Sequence, residues 1–222
     1  MEIDPQLLAP GVVLFTRALA ACALLLALYL APWRELHAVS ARQHLFFLVV
    51  LSLAILWLAS FHPVSGITLH LLGMSTATLL LGGALAMLAA LLALLFLVAL
   101  GQAQLDALPL AWLLTAVVPA LTTLALLQLL ARLRQRNLFV FLLGLGFFGA
   151  MVSVLTVALA GLLVLALGGQ AQLATEALGY VTMLPLLMFP EGFVNGAATS
   201  TLTVYFPHLV RGFDEDRFLG EG

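Results

Sequence analysis

The 222-residue sequence has no lysine, one cysteine and charged side chains at only 8% of its positions. Without lysine, and with a formal net charge of −2, it cannot assemble the basic surface that a nucleic-acid-binding domain needs, so no nucleic-acid partner is expected. One thiol, Cys22, excludes a disulfide framework or a cysteine metal cluster within the chain. Its place in an apolar run reads as a small packing residue. Aromatic residues make up only 9%, and the short alternating segments of a transmembrane barrel are missing. What is present is leucine, alanine and valine in long unbroken runs: 64% of residues are hydrophobic and the mean hydropathy is +1.20. These values exclude an ordinary soluble domain and describe a single all-α domain, a polytopic membrane helical bundle. The start, Met1-Glu2-Ile3-Asp4-Pro5, is acidic where a secretory signal is basic, so no cleavage is expected.

Seven stretches read as crossings, at 8–31, 44–61, 66–81, 84–100, 108–131, 138–168 and 177–206, between an N-terminal segment 1–7 and a tail 207–222. The third and fourth share one apolar run, Val64 to Leu100. At 1.5 Å per residue that run extends roughly 55 Å, too long for one passage through a core of roughly 30 Å. Gly82-Gly83 is the natural break. The third stretch is short and carries Ser65, Thr68, His70, Ser75, Thr76 and Thr78, so it is expected to be enclosed by other helices rather than to face lipid. Arginines fall in alternate loops: Arg34 and Arg42, then Arg132, Arg134 and Arg136, then Arg211 and Arg217. Loops 101–106 and 169–172 have none, which places the N-terminus outside and the C-terminus in the cytoplasm. Arg17 stands apart inside the first stretch, where it reads as a structural partner for a buried acid or a snorkelling side chain.

On that topology His62 and His70 lie towards the outer surface, on the side of the amino terminus, Glu2 and Asp4. Two imidazoles, an α-amino nitrogen and backbone amides are a nitrogen-rich set suited to cobalt, nickel, copper or zinc. On spacing alone, each histidine reads more simply as a hydrogen-bonded loop or core residue. Glu191 is a sharper anomaly, a carboxylate deep in the seventh stretch with Asn195 one turn on. It is expected to face the interior, either on a solute pathway or holding helices together, with Arg17 as a candidate partner. Pro185 and Pro190 bend the same stretch. Ala23, Ala27 and Ala31 form a small-residue seam, which serves either packing within the bundle or docking of another membrane subunit. Gly144-Leu145-Gly146-Phe147-Phe148-Gly149 matches a dinucleotide fingerprint in letters only; without a preceding strand it reads as a packing motif. No H-E-x-x-H, G-x-S-x-G or G-x-x-x-x-G-K-[ST] occurs, so the chain is not expected to be an enzyme, and any ATP is hydrolysed elsewhere.

Three stretches taken together carry a resemblance: Met1-Glu2-Ile3 with Leu8 and Pro10; Ser65-Gly66-Ile67-Thr68-Leu69-His70-Leu71-Leu72-Gly73-Met74 running to Leu81-Gly82; and Pro185 through Glu191-Gly192 to Pro207. In order, spacing and membrane position they resemble the energy-coupling-factor transporter components for cobalt and nickel, called CbiM or NikM, over nearly the whole chain. The resemblance implies a substrate-capturing component in the plasma (inner) membrane of a prokaryote. It implies two kinds of partner, a membrane-embedded energy-coupling subunit and two cytoplasmic ATPase subunits. A divalent metal is the implied substrate, with no permanently bound cofactor. In that family the metal is held by the Met1 amine, the nitrogen and imidazole of the second residue, and a histidine that His70 matches. The second position departs: the family has histidine where this chain has Glu2. Either His62 supplies the missing imidazole, or the site has moved towards an oxygen-richer metal such as manganese or iron, or this branch no longer carries metal. The resemblance also lends the Ala23, Ala27, Ala31 seam to partner docking. A self-contained secondary transporter or channel is the alternative, though it would want paired intramembrane charges and an inverted repeat.

Overall fold

The computed structural model describes residues 2–64, 67–132, 137–179 and 184–213. Among them, four helices are long and apolar enough to cross a membrane: α1 (Pro10–Leu30), α3 (Ser40–Leu58), Leu108–Leu130 and Val140–Leu167. Pro10 starts α1 where a missing N–H costs nothing, and a six-residue helix, α2 (Trp33–Ala38), joins it to α3. The span Leu108–Leu130 consists of α6 (Leu108–Trp112), a π-helical stretch Leu113–Val117 and α7 (Val118–Leu130). The wider π turns precede Pro119, whose ring cannot fit against the carbonyl four residues back in a regular helix. Val140–Leu167 likewise joins a π-helical stretch, Val140–Phe148, to α8 (Gly149–Leu167).

The run between α3 and residue 100 contains more than helices. β2 (Ser60–Val64) and β3 (Ile67–His70) form an antiparallel hairpin, and the N-terminal β1 (Glu2–Ile3) adds to its other side, giving the order β1-β3-β2. Glu2 pairs with Thr68 and Ile3 with Ile67; across β3, Ser60 pairs with His70 and Phe61 with Leu69. The expected helix over 66–81 is thus corrected: its first residues are a strand, and α4 begins only at Met74 and ends at Leu81. The all-α fold is borne out, with this small sheet set beside the helices. α5 (Gly83–Ala99) follows, and α4 and α5 part at Gly82, at the glycine pair the sequence pointed to. Of the stretch 177–206, the described residues belong to α9 (Ala171–Gly179), which begins before it, and to α10 (Leu184–Tyr205), with Pro190 inside the latter.

α4 and α5 form the centre. Ala86, Ala89, Ala90 and Ala93 of α5 are wholly buried, and their small side chains let neighbouring helices approach closely. α5 packs on α1, α3 and α4. α1 lies against α5 and α6, and in the alanine seam Ala27 and Ala31 are buried and Ala23 is half-buried. Ala27 and Ala31 are thus packed inside the chain, the within-bundle reading of the seam, while Ala23 stays partly accessible. The outward faces of α1 and α3 carry Leu25, Tyr29, Phe47 and Ile55, all exposed, as a lipid-facing surface does. The glycine-rich stretch packs as expected. A methyl at Gly146 would stand 3.4 Å from Cα of Gly196, so α10 rests backbone to backbone on Val140–Phe148.

Contacts separate the two ends of the bundle. At one end the N-terminal segment meets the loop before α9: the Ala9 N–H donates to Gly168 O at 3.0 Å and the Gln170 amide to Leu7 O. Arg17 pairs there with Asp106 at 3.5 Å, both side chains substantially exposed, so of the alternatives offered for Arg17 and Glu191 their mutual pairing is not the one adopted. At the other end Arg42 reaches the carbonyls of Leu209 (3.1 Å) and His208 (3.3 Å), and Arg211 pairs with Glu35 at 2.8 Å.

Candidate functional site

The three-stranded sheet brings β1 alongside the strand that carries His70. Successive side chains on a strand alternate between faces, so Glu2, opposite Thr68, shares a face of the sheet with Thr68 and His70. Glu2 and His70 stand as diagonal neighbours, roughly 7–8 Å apart between backbones and within mutual reach of side chains. The other face carries Ile3 and Ile67, both buried, which fix β1 on β3. A two-residue strand has little stability of its own; these two apolar side chains, with the Asp4 carboxylate accepting from the Gln6 N–H at 2.9 Å where the chain turns away, hold the register.

His70 is buried, 7% exposed. Its ring lies against the indole of Trp57, with centroids 5.4 Å apart, and its Nδ1 is 2.9 Å from Leu71 O. A hydrogen bond at Nδ1 fixes the ring and leaves Nε2 as the nitrogen directed to other partners. Met1 lies outside the described residues, as does the His62 side chain, whose backbone belongs to β2. Among the described residues no group of three or more His, Cys, Asp or Glu side chains gathers. A metal at His70 would therefore draw further donors from backbone nitrogens, from Glu2 or from the amino terminus.

Glu191 and Asn195, on one face of α10, are both 1% exposed. They face the start of α4, and every polar atom has a partner. Glu191 Oε2 accepts from the Leu72 N–H at 2.6 Å; Oε1 accepts from the Gly73 N–H at 2.8 Å and from the Asn195 amide at 2.7 Å. Asn195 Oδ1 accepts from the Thr76 N–H and hydroxyl, each at 2.9 Å. A helix leaves its first N–H groups without internal partners and presents a partial positive charge there; the α10 side chains satisfy both needs across 118 to 119 residues of sequence. The other end of α4 is closed similarly. Leu79 O accepts from the Gly212 N–H at 2.8 Å, and Leu80 O accepts from the Arg211 N–H and the Arg42 guanidinium, each at 3.4 Å.

Below His70 the interior continues polar through hydroxyls. Thr76 bonds Thr199 at 3.1 Å, Ser75 bonds Ser153 and Thr123 at 3.3 Å each, and Thr122 bonds Thr156 at 2.9 Å. Sequence reading singled out His70, Glu191 and Asn195 but not Trp57, Leu72 or Gly73, which surround them. The available signals were a tryptophan near the end of an apolar run and a glycine three residues after the histidine.

The family model described as CbiM, cobalt uptake substrate-specific transmembrane region, matches residues 2–209. A solved structure described as the crystal structure of a truncated transition metal transporter superposes with a TM-score of 0.72, over 94% of this chain and 99% of that one, at 17% identity. At that identity the likeness establishes the shared fold. No curated protein sequence matches the chain.

Proposed function

Since the chain belongs to the CbiM family, cobalt uptake substrate-specific transmembrane regions, we propose that it is the membrane component that captures a divalent transition metal for import, cobalt or nickel first among them. Its site is formed at the junction of the N-terminal strand with β3. The observation that carries this reading is the strand register that puts Glu2 beside Thr68, on the face of β3 shared with the buried His70. A strand β1 pinned there brings its backbone nitrogens towards an imidazole already fixed at Nδ1, and the Met1 amine, next in the chain, is the further donor this reading calls for. Donors of that kind suit late first-row divalent ions.

In this reading the chain crosses the plasma membrane of a prokaryote seven times, by α1, α3, β3–α4, α5, α6–α7, Val140–Leu167 and α10. The arginine distribution puts the His70 end outside and the Arg42–Arg211 end in the cytoplasm. The chain has no phosphate-binding G-x-x-x-x-G-K-[ST] motif. Energy is then supplied by an energy-coupling transmembrane subunit with two cytoplasmic ATPase subunits, and the isolated chain binds without turnover.

The departure at Glu2 bears on which ion is carried. A carboxylate oxygen in place of an imidazole hardens the donor set unless His62, in the adjacent strand β2, supplies a second nitrogen. The test is titration of the purified full-length protein, with a native Met1, against cobalt, nickel, zinc and manganese, alongside His70→Ala and His62→Ala. One-to-one binding that His70→Ala abolishes is expected. Loss in His62→Ala as well points to a nitrogen-completed site, whereas retention with manganese preference points to the carboxylate. Absence of binding by the native protein to all four ions refutes metal capture.

A further inference from the structure

We infer that Glu191 and Trp57 are positioning residues for His70, acting as a two-sided clamp on the backbone that follows it. The inference rests on the reading of His70 as a metal ligand and adds residues from α3 and α10 that do not belong to the sheet. Leu72 is held at both of its backbone polar groups. Its N–H donates to Glu191 Oε2 at 2.6 Å, and its carbonyl accepts from Trp57 Nε1 at 3.1 Å. Gly73, in left-handed conformation at φ 68°, donates to Glu191 Oε1 at 2.8 Å. The same indole lies against the His70 ring, and Leu71 O meets His70 Nδ1. Residues 70–73 are thus tied to α3 on one side and α10 on the other, and the direction of the His70 ring follows from both.

The donor count explains why a carboxylate stands at 191. Three N–H groups converge on its two oxygens, those of Leu72, Gly73 and Asn195, and none of its partners offers an acceptor. An ionised carboxylate only accepts, whereas a glutamine would turn an NH₂ group towards one of those donors. The charge is placed at the N-terminus of α4, where the helix dipole favours it. Both oxygens of Glu191 are therefore engaged in fixing the loop.

The test compares full-length Glu191→Gln, Trp57→Phe and Thr199→Val with the native protein. Thr199→Val removes a hydroxyl link between the same two helices, Thr76 to Thr199, without touching the loop. Cobalt and nickel affinities are measured by chelator competition, and the His70 imidazole is followed by NMR of histidine-labelled protein. Loss of support for a ligating histidine typically weakens metal binding about 10–100-fold. That loss is expected in Glu191→Gln, with a smaller one in Trp57→Phe, each with a shifted or multiplied His70 signal; Thr199→Val is expected to keep native affinity and signal. If Glu191→Gln does not fold, Trp57→Phe decides by the same two measurements. Native affinity with an unmoved His70 signal in the clamp variants overturns the inference, as does an equal loss in Thr199→Val. If the native protein binds no metal, the metal reading fails by itself and the His70 signal alone decides the clamp.

Discussion

Replacement of Gly73 by alanine separates two costs that the structure assigns to one position. Gly73 has φ 68°, and a Cβ built there would lie 2.8 Å from Cδ2 of Leu56 and 3.1 Å from Cδ2 of Leu53, both on α3. The left-handed backbone costs an alanine about 1–2 kcal/mol. Forcing two packed leucines aside adds about 1–3 kcal/mol. The expected loss is therefore about 2–5 kcal/mol on unfolding. Gly101 supplies the control: its φ is 72°, but nothing lies within 4 Å of the added methyl, so Gly101→Ala should lose the backbone share alone, about 1–2 kcal/mol. Reversible unfolding in mixed micelles, followed by tryptophan fluorescence, measures both. Combining Gly73→Ala with Leu56→Ala should bring the Gly73 penalty down towards that of Gly101→Ala, because the coupling of the two substitutions is the steric share. Equal losses at Gly73 and Gly101, with no coupling to Leu56, would refute the packing of α3 against the start of α4 described here.

Other expectations follow from the same geometry. Because Ala27 is buried within the chain, Ala27→Leu should destabilise the isolated protein by about 1–3 kcal/mol, seen in the same unfolding assay; unchanged stability with loss of a co-purifying partner would refute this and favour the docking role. Metal affinity should fall on acidification, since the amino-terminal amine and carboxylate donors bind metal only without their proton, so that binding releases protons. A flat affinity from about pH 8 to pH 6, measured by chelator competition, would count against ligation by the amino terminus.

The long helices were legible because an apolar run of twenty or so residues has one outcome in hydrocarbon, and the expected 108–131 and 138–168 differ from the observed spans by one or two residues at the ends. The Gly82 break was legible for the same reason: thirty-seven residues cannot make one crossing. The hairpin was not. Ile67-Thr68-Leu69-His70 shows the alternation of a strand, yet four residues are too few to outweigh the apolar run they adjoin. Pro63, unable to continue a helix, was the stronger hint. Glu191 was legible as an anomaly but not in its partners. Its donors are backbone N–H groups of Leu72 and Gly73, which every residue but proline possesses, so no side-chain pattern announces them. The Arg17 pairing failed because Asp106, in the adjoining loop, lies at the same end of the bundle. The alanine seam was legible as a close-packing face, while which helix it serves is decided by tertiary contacts alone.

The capping of α4 from distant parts of the chain has a consequence for biogenesis. Its N-terminal partner lies 119 residues downstream, and Arg42 meets Leu209 across 167 residues. At about 5–20 residues per second, α4 is synthesised about 6–24 s before Glu191. During that interval the helix has water, lipid headgroups or the insertion machinery as partners for its free ends, and the segment that carries His70 has no counterpart in α10. A helix made late, α10, is thus the one that finishes the first-formed half of the site. A nascent chain arrested before α10 carries every residue of the sheet yet no closed α4, so quality control that detects exposed intramembrane polar groups could distinguish it from a finished protein.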